Sequence, residues 1–553
     1  MATSVQERPP ARRNTALKRE VGLIGLMWAS MGSIIGSGWL FGAQEGLIAA
    51  GPAAIFAWII GAGCMLVLAL IHAELGAMFP VSGGTARFPH YAFGGAVGAS
   101  FGWFSWLQAA TVAPIEVSAM LTYAQEWDFA QGWVNDKDGV LTASGIVVSV
   151  ILMALFTAIN FLGVRHLAAA NSAATWWKIA VPLLVIIVLS FANFDTGNLH
   201  AADGFAPGGL KAILEAVSTG GIIFSYLGFE QADQLAGEAR NPKRDLPRAI
   251  IGSMVIGTLI YLALQVVFLF SLPDSAIGQT WADNSKDAYY TVFTGPFAQV
   301  ATLLSIGWLA TVIRADAVIS PGGTGLIYTT GSSRVAYGLS RNGYVPSIFE
   351  WTNNRGVPWV GLIAAFVTGC ICFLPFPSWQ SLVGLITSAS VLMYAGAPLS
   401  LGAFRRRLPD AERPYRMPAA EILSPAAFVI ATLIILWTGW HTDWQLGVAI
   451  LIGYAILALN RIFHLNEHKP MLDWRAASWL PAYLVGLGII VFLSSFGPLD
   501  DPVLEFGPDM IVCGIFSVGI YYWAMAVALS KEQIDEMLEE VVLPEEEGLA
   551  PVH

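Results

Sequence analysis

Apolar residues in this chain come in long blocks, not in the short alternations of a soluble fold. Runs of roughly 20 residues, the length a helix needs to cross a bilayer, fall at 22–50, 52–78, 96–124, 142–163, 167–192, 211–237, 250–272, 297–339, 358–375, 379–402, 421–441, 444–461, 476–496 and 508–529. The pattern predicts about 14 transmembrane helices, with both chain ends on one side. The eighth run is too long for a single crossing and has to protrude or bend. Polar tails flank the runs at 1–20 and 530–553. In the second, Ile534, Met537, Leu538, Val541 and Val542 recur at helical spacing among glutamates, which predicts a short amphipathic helix. Its acidity argues against docking on anionic lipid.

Three runs carry interruptions. The first has Gly36-Ser37-Gly38 at its centre, where small residues invite the backbone to unwind. Unwound backbone inside a bilayer is tolerated only where protein or a water-filled cavity satisfies its N–H and C=O groups. A break there is therefore a candidate binding site, as in the discontinuous helices of secondary transporters. The sixth run has Phe224-Ser225-Tyr226-Leu227-Gly228, followed by the carboxylates Glu230 and Asp233. The eighth has Ser320-Pro321-Gly322-Gly323-Thr324-Gly325, placed at the midplane if Arg334 marks one interface. Breaks in runs one and six are five helices apart. That spacing predicts two units of inverted topology, about 21–192 and 211–405, forming a ten-helix core over 21–405. Four additional helices over 421–529 then lie outside the repeat.

Composition agrees with a membrane protein. The chain is 56% hydrophobic and 12% charged, against about 25% charged in a soluble domain. The net charge of −11 is confined to tails and loops. Cys64, Cys370, Cys372 and Cys513 all fall in apolar runs and read as small buried hydrophobes. The first run is too long for a signal peptide and is expected to stay in the mature protein. Of the 28 Lys and Arg, 23 fall in the tails and even-numbered connections, and only Lys137, Lys211 and Lys286 on the other side. Under the positive-inside rule both termini are cytoplasmic. The two that remain, Lys178 and Arg314, lie within runs, where a cation is a functional candidate by default. No phosphate-binding loop, hydrolase elbow or metal motif is present, so ATP-driven transport and enzymatic activity have no support. No cofactor, nucleic acid or obligate protein partner is implied.

Four motifs in order carry a resemblance: Gly32-Ser33-Ile34-Ile35-Gly36-Ser37-Gly38 in run one; Pro80-Val81-Ser82-Gly83-Gly84 after run two; Gly237-Glu238-Ala239-Arg240-Asn241-Pro242-Lys243-Arg244-Asp245-Leu246-Pro247-Arg248 after run six; and Ser333-Arg334-Val335-Ala336-Tyr337-Gly338-Leu339-Ser340-Arg341-Asn342-Gly343. Over roughly residues 20–400 the chain resembles the amino acid–polyamine–organocation (APC) superfamily of permeases. Ala315-Asp316-Ala317-Val318-Ile319-Ser320-Pro321 and the length bring it nearest to bacterial aspartate–proton symporters. The resemblance implies an all-α polytopic protein of the LeuT-type 5+5 inverted-repeat fold, with helices 1 and 6 broken around an amino-acid site.

Freed N–H groups over Ile35, Gly36, Ser37 and Gly38 are candidates to bind a carboxylate. The bland alternative is a helix-packing face, since Gly32 and Gly36 also form a GxxxG. Backbone around Phe224, Ser225, Tyr226 and Gly228 completes the pocket, and Phe224 resembles the family's aromatic gate. Lys178 is about 20 Å into the membrane by helical rise from Arg165, too deep to snorkel easily. Its position matches a lysine that takes a sodium-site position in proton-linked members, which implies proton coupling; a fixed counter-charge is the alternative. Glu230 matches an acid linked to proton coupling, or is one half of an ion pair, with Lys178 a candidate partner. Arg314 and Asp316 are candidate gate or selectivity residues near the outer mouth, with a structural role the simpler reading. Glu116 beside Pro114 stays unassigned, Glu74 reads as local packing at the cytoplasmic end of run two, and His72 as a satisfied core histidine.

These readings combine into a secondary active transporter of the inner membrane. It imports an amino acid, aspartate or glutamate as the resemblance implies, with a proton by alternating access. An amino-acid exchanger is the first alternative and a transporter-like nutrient sensor the second.

Overall fold

The 21–50 run does not form one helix. Helix α1 spans Leu23–Ile34 and α2 spans Gly38–Ala50, with Ile35, Gly36 and Ser37 outside either. The computed structural model describes residues 19–81, 83–135, 139–162, 164–200, 204–277, 293–374 and 378–538, apart from the side chains of 164–173. Residues 1–18, Lys137, Lys286, the Arg165 side chain, Val541 and Val542 lie outside the described residues. The helices after the break are α3 (Ala54–Met78), α4 (Gly84–Phe93), α5 (Gly95–Ala124), α6 (Ala143–Phe161), α7 (Val164–Ala192) and α8 (Gly209–Thr219). The short α9 (Ile222–Ser225) and α10 (Gln231–Gln234) precede α11 (Pro242–Ser271), α12 (Pro296–Leu303), α13 (Gly307–Arg341) and α14 (Trp359–Cys372). Next come α15 (Trp379–Tyr394), α16 (Gly396–Arg407), α17 (Ala420–Thr438), α18 (Trp440–Ile462), α19 (Trp479–Leu493) and α20 (Pro508–Val527).

Each of the fourteen apolar runs is occupied by a helix or a group of consecutive helices, and among the described residues only isolated β-bridges occur outside them. Eight stretches are long and apolar enough to cross a membrane, with Leu23–Ile34, Trp359–Cys372 and Trp479–Leu493 as shorter apolar helices. Two central helices, α5 and α13, fall outside that set, being rich in glycine, serine and threonine. Nearly every residue of α5 is buried, Gln108, Thr111 and Glu116 among them, so it faces protein and not lipid. The chain is a multi-pass membrane protein.

The sixth run is broken twice. Gly220 and Gly221 separate α8 from α9, with Gly221 at φ +77°, and residues 226–230 separate α9 from α10. Gly228 has φ +121° and lies so close to α1 that a Cβ there would meet Ile34 N at 2.8 Å. Only glycine lets the two interrupted segments touch in this way.

The eighth run corrects one expectation. Pro321-Gly322-Gly323 sits inside α13, which is unbroken over 35 residues, about 52 Å by helical rise. That length makes the protrusion expected of it. The glycines serve close approach: a Cβ on Gly323 would stand 3.1 Å from Lys178 Cε, and one on Gly325 would strike the Phe156 ring. Inside a bilayer a proline within a helix is tolerated where neighbouring helices or Ser and Thr side chains satisfy the carbonyl it frees.

Two packing groups emerge. Helix α11 lies along α3 and α1, and α13 lies along α5 and against α14. Val21 N–H bonds Glu238 O (3.0 Å) and Arg240 N–H bonds Val21 O (2.8 Å), tying the start of run one to the end of run six. Cys64, Cys372 and Cys513 are buried free thiols, and Cys370 is half-buried. Ile534 is fully buried in the core at the start of the tail helix, so this apolar face packs on protein.

Glu74, at the end of α3, does more than pack locally. It is fully buried and takes Arg405 Nε (2.9 Å), Arg405 Nη2 (2.6 Å) and Met417 N–H (2.7 Å), with Arg413 Nε at 3.3 Å. Removing one partner of such a buried pair leaves an uncompensated charge. Arg405→Ala is expected to destabilise the protein by about 3 kcal/mol, read as a lower thermal midpoint. Glu74→Gln should cost less, because its amide oxygen still accepts from Met417. An equal or larger loss for Glu74→Gln would contradict this account.

Candidate functional site

The break in run one frees backbone groups on both sides, and specific side chains meet several of them. Ser37 N–H donates to Glu116 Oε2 at 2.9 Å, from α5. On the carbonyl side, Gly32 O accepts from Lys178 Nζ at 2.6 Å and from Thr324 Oγ1 at 3.2 Å, and Ile34 O accepts from the Tyr261 hydroxyl at 2.7 Å. Ser30 Oγ reaches across to Phe229 O in run six at 3.0 Å. An exposed amide at the start of α2 is thus holding a carboxylate, as the partial positive charge at a helix start favours.

Beside the break lies a cavity lined by residues of four runs: Gly36, Gly38, Glu116, Phe224, Thr324 and Tyr328 are among them. It leaves about 10 Å³ for the centres of water molecules, space for about one water and too little for an amino acid. Both glycines of the break are needed for its shape. A Cβ on Gly36 would collide with Glu116 Oε1, and one on Gly38 would lie 3.0 Å from both Cα and Cβ of Ser225.

One wall is aromatic. Trp379, at the start of α15, donates from Nε1 to Ser37 Oγ at 2.9 Å. Its ring stacks in a tilted contact on Phe41 (4.9 Å) and meets Phe224 edge-on (5.8 Å). Helices α15 and α16 run from Trp379 to the Arg405-Arg406-Arg407 cluster, so this layer closes the end opposite the basic one. At the other end Glu230 is fully enclosed by donors: Tyr394 OH (2.5 Å), Gly228 N–H (2.8 Å), Tyr328 OH (3.1 Å), and Gln108 and Gln231 amides (3.4 Å each). The site is closed on both sides.

The structure gathers most, not all, of the residues expected there. Gly36, Gly38 and Phe224 line the cavity, and Ser37 borders it through its amide and hydroxyl. Ile35 packs into the core. Ser225 backs Gly38, its hydroxyl turned to Gly221 O at 2.7 Å. Tyr226 points away, bonded to Trp58 O at 3.3 Å and packed on Trp58 and Tyr261. Gly228 is a spacer against α1. Lys178 is fully buried and, besides Gly32 O, bonds Thr324 Oγ1 at 2.7 Å. Glu230 is not its partner: that carboxylate is held by Tyr394, Gly228 and Tyr328. Arg314 and Asp316 part company. Arg314 pairs with Glu126, while the buried Asp316 accepts from Trp39 Nε1 (3.0 Å) and Ser320 Oγ (2.7 Å). Neither is among the cavity-lining residues. His72 is a satisfied core residue, its Nδ1 2.9 Å from Leu68 O.

A model of the amino acid permease family matches residues 21–457. The chain belongs to the amino acid permease family. It is 34% identical over 535 residues to the glutamate/serine transporter AimA of Bacillus subtilis (strain 168), covering 95% of this chain and 96% of that protein. It is 35% identical over 524 residues to the aspartate-proton symporter of the same organism, covering 94% of this chain and 98% of that one. The branched-chain amino acid permease BcaP of that organism is 26% identical over 465 residues, covering 80% of this chain and 93% of that protein. This permease is a transporter by family and not an enzyme.

Sequence reasoning left Glu116 unassigned, although an acid inside a membrane helix is a functional candidate by default. Trp379, Tyr328 and Tyr394 gave no local signal, since aromatic residues are common in membrane helices. For the permease's break the geometry gives a sharp expectation. Gly38→Ala forces α2 away from Ser225 and should weaken amino-acid binding, read by ligand-induced thermal stabilisation, while the unliganded protein still folds. Undiminished stabilisation by ligand would count against the site.

Proposed function

We propose that this permease imports an amino acid together with a proton across the bacterial plasma membrane, with both termini cytoplasmic. The core over 21–405 carries the site, and the four helices over 421–529 are additions around it. The observation that carries the reading is the Ser37 amide bonded to Glu116 at 2.9 Å. A carboxylate already sits where the carboxylate of an incoming amino acid would bind. Glu116 holds that place while the site is empty and closed, and substrate takes it over.

The names of the two relatives near 35% identity support an acidic or small polar substrate. An acidic amino acid brings net negative charge to a buried site that already contains Glu116. In a low-dielectric interior that charge has to be compensated, and a co-transported proton does so. Lys178 is the coupling cation: tethered to Gly32 O at the break, it senses any movement of run one directly. Alternating access then follows from the two packing groups, with runs 1, 2, 6 and 7 rocking against the rest. The Trp379–Phe41–Phe224 layer opens toward the outside, and the Tyr328–Tyr394–Glu230 cluster toward the cytoplasm.

Substrate-free proteoliposomes test the reading. An imposed inward proton gradient should drive uptake of labelled aspartate or glutamate with nothing inside to exchange. Uptake that requires internal amino acid would make the protein an exchanger instead. Lys178→Ala should abolish gradient-driven uptake while reducing binding far less. Unchanged gradient-driven uptake in that variant would refute the coupling role of Lys178.

A further inference from the structure

One acid in the core has no partner. Asp233 on α10 is fully buried, and neither of its carboxyl oxygens is hydrogen-bonded. It projects into a niche on α3 that exists because residue 76 is glycine. A Cβ on Gly76 would collide with Asp233 Oδ1 and stand 3.2 Å from its Cγ. The contrast with Glu230, three residues earlier, is complete. Glu230 is surrounded by five N–H and O–H donors.

Among the described residues no Lys, Arg or His is bonded to Asp233. Helix α1 has no ionisable side chain. On α3, His72 is turned to Leu68 O, and Glu74 is held by Arg405 and Arg413. On α4, His90 is bonded to the Tyr344 hydroxyl at 2.9 Å, and Arg87 is half-buried. On α11, Arg244 pairs with Asp245 at 2.8 Å, Lys243 with Glu412 at 2.7 Å, and Arg248 is exposed. The ionisable residue nearest to it along the chain is Glu230, another acid. A bare carboxylate in this niche would lack donors, water and counter-charge, whereas a neutral carboxyl needs far less.

We propose that Asp233 is protonated in the closed state and is the group on run six that binds and releases the transported proton, with Glu230 held by its five donors beside it. The inference rests on the proton-coupled reading above and moves the proton-carrying role within run six from Glu230 to Asp233. The segment is built to move. Helix α10 is four residues long, follows Gly228 in its left-handed conformation, and is tied to α4 by Gln234 Nε2 to Thr85 Oγ1 at 3.0 Å. When α10 separates from Gly76, water reaches the carboxyl and its O–H bond breaks. The proton passes to water on the basic side, and the carboxylate keeps the electron pair.

Asp233→Asn tests this, because the amide mimics the neutral acid and cannot release a proton. In proteoliposomes the variant should keep exchange of internal for external amino acid and lose both gradient-driven uptake and amino-acid-dependent proton entry, read with an internal pH dye. Gradient-driven uptake with unaltered proton entry in Asp233→Asn would overturn the proposal. Absence of amino-acid transport in the unmodified protein would instead overturn the transport reading. Infrared spectroscopy supplies a readout independent of transport and of that variant's folding. Unmodified protein should show a protonated-carboxyl band that Gly76→Ala shifts, and a band unmoved by Gly76→Ala would refute the assignment.

Discussion

Inside a bilayer every backbone amide and carbonyl has to be bonded, and this protein stops bonding its own backbone at Ile35-Gly36-Ser37. A buried polar group left unmade costs about 1–3 kcal/mol, and whole domains are stable by only about 5–15 kcal/mol. A few unmet groups at the break would therefore rival the stability of the fold. The partners that meet them are the functional residues: Glu116 for the Ser37 amide, Lys178 and Thr324 for the Gly32 carbonyl, Tyr261 for the Ile34 carbonyl. Charged side chains at the centre of a membrane protein are here a consequence of interrupted helices.

This arrangement suits a transporter because partners can be exchanged at low cost. An arriving carboxylate that takes the Ser37 amide replaces one charge-assisted hydrogen bond with another of the same kind. The backbone stays satisfied throughout, so binding need not be tight for the site to respond. The two breaks are locked together by Gly228 against Ile34 and by the Val21–Glu238–Arg240 pairing. Movement of one interrupted run is therefore felt by the other. Arg405, Arg413 and Glu74 make the corresponding tie at the basic end, between α3, α16 and the connection after α16.

How much of this the sequence carried depends on the range of the interaction. Gly36-Ser37-Gly38 was legible because a matching interruption five runs later favoured unwinding over the helix packing that small residues also serve. The helical character of the runs was legible from their length and apolarity, whereas among the described residues eight stretches are long and apolar enough to cross a membrane, against about 14 expected. Pro321-Gly322-Gly323 was misread because composition does not distinguish glycines that unwind a helix from glycines that admit Lys178 and Phe156. Tyr226 pointed the wrong way because side-chain direction in a broken segment follows local turns that no periodicity announces. Glu116 was visible as an intramembrane acid, yet its partner lies 79 residues away in the chain. Trp379, 342 residues from Ser37, is further still. Long-range pairing of this sort has no signature in a single sequence.

The central claim is that the Ser37 amide is the carboxylate anchor and that Glu116 occupies it only while substrate is absent. A structure determined with aspartate or glutamate bound tests it most directly. The account predicts the α-carboxylate of the amino acid within hydrogen-bonding distance of the Ser37 N–H, with Glu116 displaced from it. An amino acid bound elsewhere, with Glu116 still on that amide, would contradict it.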